Sequence, residues 1–250
     1  MKQVITWLFF ISFFGPIFYG NAQETSRDNQ SKELPSIPAD STSKKKSPDL
    51  ALRFGIDLYK PILSATTNDY SGIEVVGDLL IYNDFYVALE IGNEEKTIQS
   101  EQINFSTKGT YIKLGFDYNM FENWDGMNNQ VYLGLRYGKS LHKQIVNRYL
   151  LYSTHHDWEE EEITSDHALG ERSGLTASWF EVVVGFKVQV LNNFYMGLSI
   201  RLHRLLNDQK PDNFDNLYIP GFNKKTDENV FGAGLNYTLT YSIPIRLKKN

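Results

Sequence analysis

A chain of 250 residues with a formal charge of −5 has room for one sizeable domain besides a leader, and its acidic balance argues against nucleic acid as a partner. It contains no cysteine, which excludes disulfides, iron–sulfur clusters, thiol catalysis and lipid attachment at a cysteine. Tyrosine and phenylalanine are abundant, 15 and 16 residues, as aromatic belts at a membrane interface require.

Residues 1–22 have the form of a secretory signal: Lys2 supplies the positive charge and Val4 to Tyr19 the apolar core. Gly20-Asn21-Ala22 is a small-residue cleavage site, which places the cut between Ala22 and Gln23. Residues 23–49 read as a disordered periplasmic linker. They balance five acids against five bases, hold Pro35, Pro38 and Pro48, and offer only Leu34 and Ile37 as strong apolar residues, too few to form a core. No later apolar run approaches the ~18 residues of a spanning helix.

From residue 50 to 247 the apolar and polar residues separate by odd and even positions, the period of a β-strand. The first predicted strand, 50–59, sets Leu52, Phe54, Ile56 and Leu58 against Arg53, Gly55 and Asp57. The second, about 71–82, sets Ile73, Val75, Leu79 and Ile81 against Glu74 and Asp78, and Asn83-Asp84 turns the chain. Strands follow at 85–97, with Glu90 on the polar face, and at about 107–119, with Lys113 and Asp117. A connection carrying Asp125-Gly126 leads to 129–139, where Tyr132, Gly134, Arg136 and Gly138 share the polar side. Residues 177–191 place Glu181, Gly185 and Lys187 opposite six valines and phenylalanines, and Asn192-Asn193 turns into 194–202, with Arg201 on the polar face. The last strand, 230–243, carries Leu235, Tyr237, Leu239, Tyr241 and Ile243 over Gly234, Asn236, Thr238 and Thr240. Short links at 83–84, 120–128 and 192–193 alternate with long ones at 60–70, 98–106, 140–176 and about 205–229. This is the rhythm of an antiparallel up-and-down transmembrane β-barrel with short periplasmic turns and long external loops. Eight strands are expected; Leu141–Tyr152 either prolongs the fifth or forms an extra hairpin, giving ten.

The stretches Leu52–Leu58, Gly77-Asp78-Leu79, Tyr111–Asn119 with Glu122-Asn123-Trp124, and Tyr132–Gly138 resemble the small eight-stranded outer-membrane barrels of the OmpA/OmpX type. More narrowly, they are similar to an uncharacterised Bacteroidota outer-membrane β-barrel family. That resemblance implies a fold and a place, the outer membrane of a Gram-negative bacterium, and brings no assigned reaction. Gly234–Leu239 resembles the closing-strand signal read by the barrel-insertion machinery, although the chain ends in Lys248-Lys249-Asn250 instead of an aromatic residue.

The polar face holds five bases (Arg53, Lys113, Arg136, Lys187, Arg201) and six acids (Asp57, Glu74, Asp78, Glu90, Asp117, Glu181). Near balance implies mutual pairing in a lumen just wide enough for side chains, hence an ion-paired interior with a structural or surface-interaction role. A narrow channel for small solutes is the alternative. A lipid-modifying hydrolase or acyltransferase is the second, and would draw on His142, His203 or the loop histidines; no Ser or Asp stands at a spacing that forces contact with His203. No enzyme activity and no cofactor is expected. The stretch 155–171 carries seven acids and no Lys or Arg, and His155, His156, Asp157 and His167 are weak metal candidates without a ligand-spacing motif. Tyr82, Phe85, Tyr86, Phe121, Trp124, Phe194 and Tyr195 are expected as the girdle on the turn side, Trp158 and Trp179 on the loop side. Expected partners are outer-membrane lipid, lipopolysaccharide and the insertion machinery. A soluble lipocalin-like barrel has the same alternation with the faces exchanged.

Overall fold

The computed structural model describes residues 50–101, 103–122, 129–152, 160–163, 169–210, 215–224 and 230–245. The expected signal, linker and chain terminus, Trp124, Trp158 and the turn Asp125-Gly126 lie outside them.

The chain builds β1 (Leu50–Asp57), α1 (Tyr59–Thr66), β2 (Tyr70–Tyr82), β3 (Phe85–Gln99), β4 (Ile103–Asn119), β5 (Gln130–Tyr152), β6 (Glu160–Ile163), β7 (Gly170–Leu191), β8 (Phe194–Asp208), β9 (Tyr218–Ile219), β10 (Asn223–Lys224) and β11 (Phe231–Ile245). Eight of the strands close a ring in the order β1-β2-β3-β4-β5-β7-β8-β11, with β11 returning to β1 and every neighbour antiparallel. The expected eight-stranded up-and-down barrel is therefore the fold.

Alternation decides which way the barrel faces. Along β5, Val131, Leu133, Leu135 and Tyr137 are exposed while Tyr132, Gly134, Arg136 and Gly138 are buried, and β7 repeats the pattern from Phe180 to Val190. Phe54, Ile73, Val75, Leu89, Ile91, Leu114, Phe116 and Ile200 continue an outer apolar belt around the ring. The buried side is the charged one. That orientation is the inverse of a soluble lipocalin-like barrel.

The two tightest turns are made by asparagine. Asn83 and Asn193 take φ +45° and +66°, the left-handed conformation that a two-residue hairpin demands and that asparagine tolerates.

Several expected boundaries shift. β1 stops at Asp57, and the expected long link contains α1; Pro61 stands in its first turn, where no intrahelical donor is needed, and the Asp57 carboxylate accepts from the Tyr59 N–H at 3.1 Å. β3 and β4 run to Gln99 and from Ile103, so the expected loop 98–106 is three residues long. β5 continues unbroken to Tyr152, pairs with β4 as far as Ile103, and gains β6 as a short partner; the extra hairpin of a ten-stranded ring does not form. Above Tyr137 the outward positions of β5 become Lys139, Leu141 and Lys143. Both faces meet polar surroundings there, so the alternation fades while the ladder persists.

Candidate functional site: the filled interior and its outer mouth

Near the turn end, the Arg53 guanidinium donates to Asp78 at 2.6 Å and to Gln130 Oε1 at 2.8 Å. It lies over the rings of Tyr86 and Tyr195, 4.6 and 5.4 Å from their centroids, and Lys187 donates to the other Asp78 oxygen. Tyr86 and Tyr195 are thus inside the barrel, and the expectation that they form the girdle is corrected: strand parity outweighs their interfacial height. Tyr82, Phe85, Phe121 and Phe194 do point outward.

At mid-height Glu90 is the hub. Arg201 grips it with both terminal nitrogens, at 2.5 and 3.0 Å, Arg136 donates to it at 3.1 Å, and Lys113 stands 3.5 Å away. Arg136 also binds Asp117, at 2.9 Å, and Arg201 and Lys113 both reach Glu181, at 3.1 and 3.4 Å. Trp179, completely buried, donates its indole N–H to Glu181 at 2.7 Å, so it belongs to the interior and not to the loop-side girdle. Its ring occupies the room left by Gly138 across the ladder, where a Cβ would fall 2.3 Å from the indole.

Higher still, Glu74 accepts from Tyr111 Oη at 2.6 Å and Asn236 Nδ2 at 2.8 Å, and lies 3.3 Å from Lys113. Asp57 takes no part in these ion pairs. Instead it accepts from Asn236 Nδ2 at 3.0 Å and from the Tyr237 N–H at 2.9 Å. The eleven residues expected in the lumen are all buried, but Asp57 joins by amides, not by a cation.

Two charged members escaped the sequence reading. Lys60 reaches in from α1 to Glu94, at 2.5 Å, and Glu94 also accepts from Tyr218 Oη at 2.8 Å and the Gly221 N–H at 3.0 Å. Glu94 shares the even face with Glu90, so parity was the signal that could have found it; Lys60 was hidden in an unrecognised helix. Burial, followed by the neighbouring Glu94 carboxylate, pushes the Tyr218 phenol above its usual range and keeps it a donor. Outside the mouth, the hydrogen bond from Lys96 holds the exposed Asp69 carboxyl below its usual range.

The segment 215–224 folds inward and stoppers the barrel. Ile219 and Phe222 pack with Tyr111, Ala177, Trp179 and Leu205, while Tyr218 joins Phe105 and Val146. Gln144 clamps the start of the segment, donating to the Asp215 carbonyl and accepting from the Leu217 N–H. Gly221 allows the close approach, with φ +83° and a Cβ position only 2.6 Å from the Tyr111 ring. The void beside Asp78, Glu90, Arg136, Lys187 and Arg201 measures about 20 Å³, room for about one water.

Ser140 Oγ lies 3.5 Å from His142 Nδ1, and His142 Nε2 lies 3.1 Å from Asn216 Oδ1. All three are buried, Ser140 completely, so the serine cannot meet a substrate; the row serves to fasten the inserted segment to β5. His203 donates from Nδ1 to the Phe222 carbonyl at 3.1 Å, and its Nε2 lies 3.6 Å from Glu181. His155, His156, Asp157 and His167 lie outside the described residues; among the described residues no three His, Asp or Glu groups gather to hold a metal.

The fold and its packed interior define the chain as a closed eight-stranded antiparallel β-barrel with a charged, filled core. It belongs to the family described as Domain of unknown function (DUF6048), whose model matches residues 3–249. Comparison with curated proteins returns no match. Among solved structures, the chain is similar to neisserial surface protein A, NspA, at 12% identity and a TM-score of 0.38. It is also similar to Ail, the attachment invasion locus protein of Yersinia pestis, at 11% identity and a TM-score of 0.35. Each likeness covers 78% of this chain and 96% of the other.

Proposed function

We propose that this chain is a non-enzymatic outer-membrane β-barrel of a Gram-negative bacterium, with a structural or surface-interaction role and no conducting pore. The observation that carries the reading is the inside-out distribution of side chains: an exposed apolar belt around a buried lattice of charges. Soluble monomers rarely expose so continuous an apolar surface, whereas lipid is the medium in which it is stable.

The filled interior supports the structural role over the channel. Charged layers span the lumen from Arg53 to Glu94, and the segment 215–224 covers them at the loop end. In the sequence, residues 1–22 supply the export signal and cleavage at Ala22–Gln23 would release the mature chain to the periplasm. Outer-membrane lipid, lipopolysaccharide and the insertion machinery are the partners this placement implies.

The test is electrophoretic mobility with and without boiling, on protein from an outer-membrane fraction. A band that migrates faster unboiled and stays with the membranes is the expected result; a soluble protein without a shift would sink the proposal. Stable conductance steps in a planar bilayer would replace the plugged barrel by the channel reading. A lipid A profile altered by loss of the protein and not restored by a His142 or His203 variant would replace it by the enzymatic one.

A further inference from the structure

β1 is too short for its neighbours. It pairs with β2 only over Leu52–Ile56 against Leu79–Val75, and with β11 no further than Asp57 against Thr238. Yet β2 begins at Tyr70 and β11 at Phe231, and both carry the outer apolar belt past that point, through Ile73 on one side and Leu235 and Phe231 on the other. The wall therefore has a notch above β1.

Helix α1 sits in the notch. Ser64 bonds both backbone groups of Gly72 on the β2 edge, accepting from the N–H at 2.9 Å and donating to the carbonyl at 3.5 Å, and Asn223 caps the Ala233 carbonyl on the β11 edge. Ile62, 54% exposed, and Tyr59 face outward and restore the apolar belt across the gap.

Between α1 and β11 the helix leaves a cavity of about 200 Å³, room for several waters. Its chemistry has one sign. Lys60, Lys96 and Lys113 line it, with Tyr70, Tyr218 and His203 among the remaining lining groups, and among the described residues no carboxylate does. The carboxylates stand behind the lining: Glu94 is held by Tyr218 and Gly221 as well as Lys60, Glu74 by Tyr111, Asn236 and Lys113, and Glu181 lies beside Lys113 and His203. An ammonium carries three donors. Lys60 gives one to Glu94, with Glu74 at the longer distance of 3.9 Å, and Lys96 gives one to the exposed Asp69, so each keeps a donor for a further acceptor. His203 donates from Nδ1 to the Phe222 carbonyl, which leaves Nε2 buried without a hydrogen bond, 3.6 Å from Glu181 and beside Gly234 of the lining.

We propose that this lateral pocket binds a phosphate-class anion: Lys60 and Lys96 donate to its oxygens, and His203 Nε2 accepts from an acidic P–OH. Because the cavity lies beside α1 at the level of the apolar belt, the phosphate can arrive as the headgroup of a membrane amphiphile whose chains lie along Ile62 and Leu235, or as the free ion from the medium. The lipid route rests on the outer-membrane reading above; the free-ion route does not.

The test uses the full-length protein purified in dodecylmaltoside, with native mass spectrometry for phosphatidic acid against phosphatidylcholine and calorimetry for inorganic phosphate. One phosphatidic acid retained per chain, with phosphatidylcholine lost, is the expected result if the source is lipid. Inorganic phosphate bound as tightly as phosphatidic acid would identify the free ion. In either case Lys96→Ala, a change at the pocket rim, is expected to weaken binding roughly tenfold, the loss of one charge-assisted bond. Gly234→Val, which places bulk where a Cβ already meets His203 at 3.1 Å, is expected to abolish it. Unchanged heat-modifiable mobility certifies that each variant is folded. Neither probe binding, or binding equal in wild type and both folded variants, would overturn the proposal.

Discussion

The two halves of the barrel interior are held by different forces. Toward the turns, from Arg53 to Glu181, nearly every inward side chain is charged or bonded to a charge, and the layers interlock through shared partners such as Asp78 and Glu90. Toward the loops, aromatic and aliphatic side chains of an inserted segment do the filling, and Glu94 and Asp208 are acids of the wall that bond to that segment. A lattice of ion pairs has no cheap partial state, because removing one partner strands the others in a medium of low dielectric. An inserted segment can leave as a unit. The turn half is therefore expected to fail all at once and the loop half to open locally.

The largest effect expected from breaking this contrast is Glu90→Ala, which takes the shared partner from Arg201, Arg136 and Lys113 and should cost about 3–5 kcal/mol. The urea midpoint of the fast-migrating unboiled band measures it, and a midpoint unmoved from wild type would refute the lattice. Gly138→Val drives a side chain into buried Trp179, with an expected loss of about 1–3 kcal/mol in the same assay. Glu94→Gln keeps the shape but removes the charge that Lys60 and Tyr218 address. Its expected loss is about 1–2 kcal/mol, seen as faster protease cleavage within 215–224 while the barrel band still shifts; cleavage at the wild-type rate would show that the apolar packing alone holds the segment. Smallest of all is Lys108→Ala, which removes an exposed pair with Glu95 and should change the midpoint by less than about 0.5 kcal/mol.

How much was legible in the sequence follows the same division. Where lipid-grade residues face out, the period of two marks both the strand and its inner charges, so Arg53, Glu74, Asp78, Glu90, Lys113, Asp117, Arg136, Glu181, Lys187 and Arg201 could be named with their common face. The signal came from the belt and not from the strand as such. It vanished at Lys139 on β5 and before Thr107 on β4, although the ladders run on to Tyr152 and back to Ile103. Tyr86, Tyr195 and Trp179 were misplaced because residue type was allowed to override parity. The insertion of 215–224 left no periodic trace: its placement depends on a handful of long-range bonds from Gln144, His142 and Glu94, which no local pattern records.

The short β1 also bears on how the barrel yields to force. A seam of few hydrogen-bonded pairs takes little work to part, and β1 shares the briefest in the ring, Leu52–Ile56 with β2, whereas β5 is laced to β4 and β7 along most of its run. A cantilever drawing the chain out by its N-terminal end would therefore part β1 from the wall at low load, and α1, wedged in the notch, would follow before β2 and β3 begin to unzip. Single-molecule traces in which the first rupture was the strongest would contradict that order. The strand that completes the ring is thus its natural point of entry for unravelling.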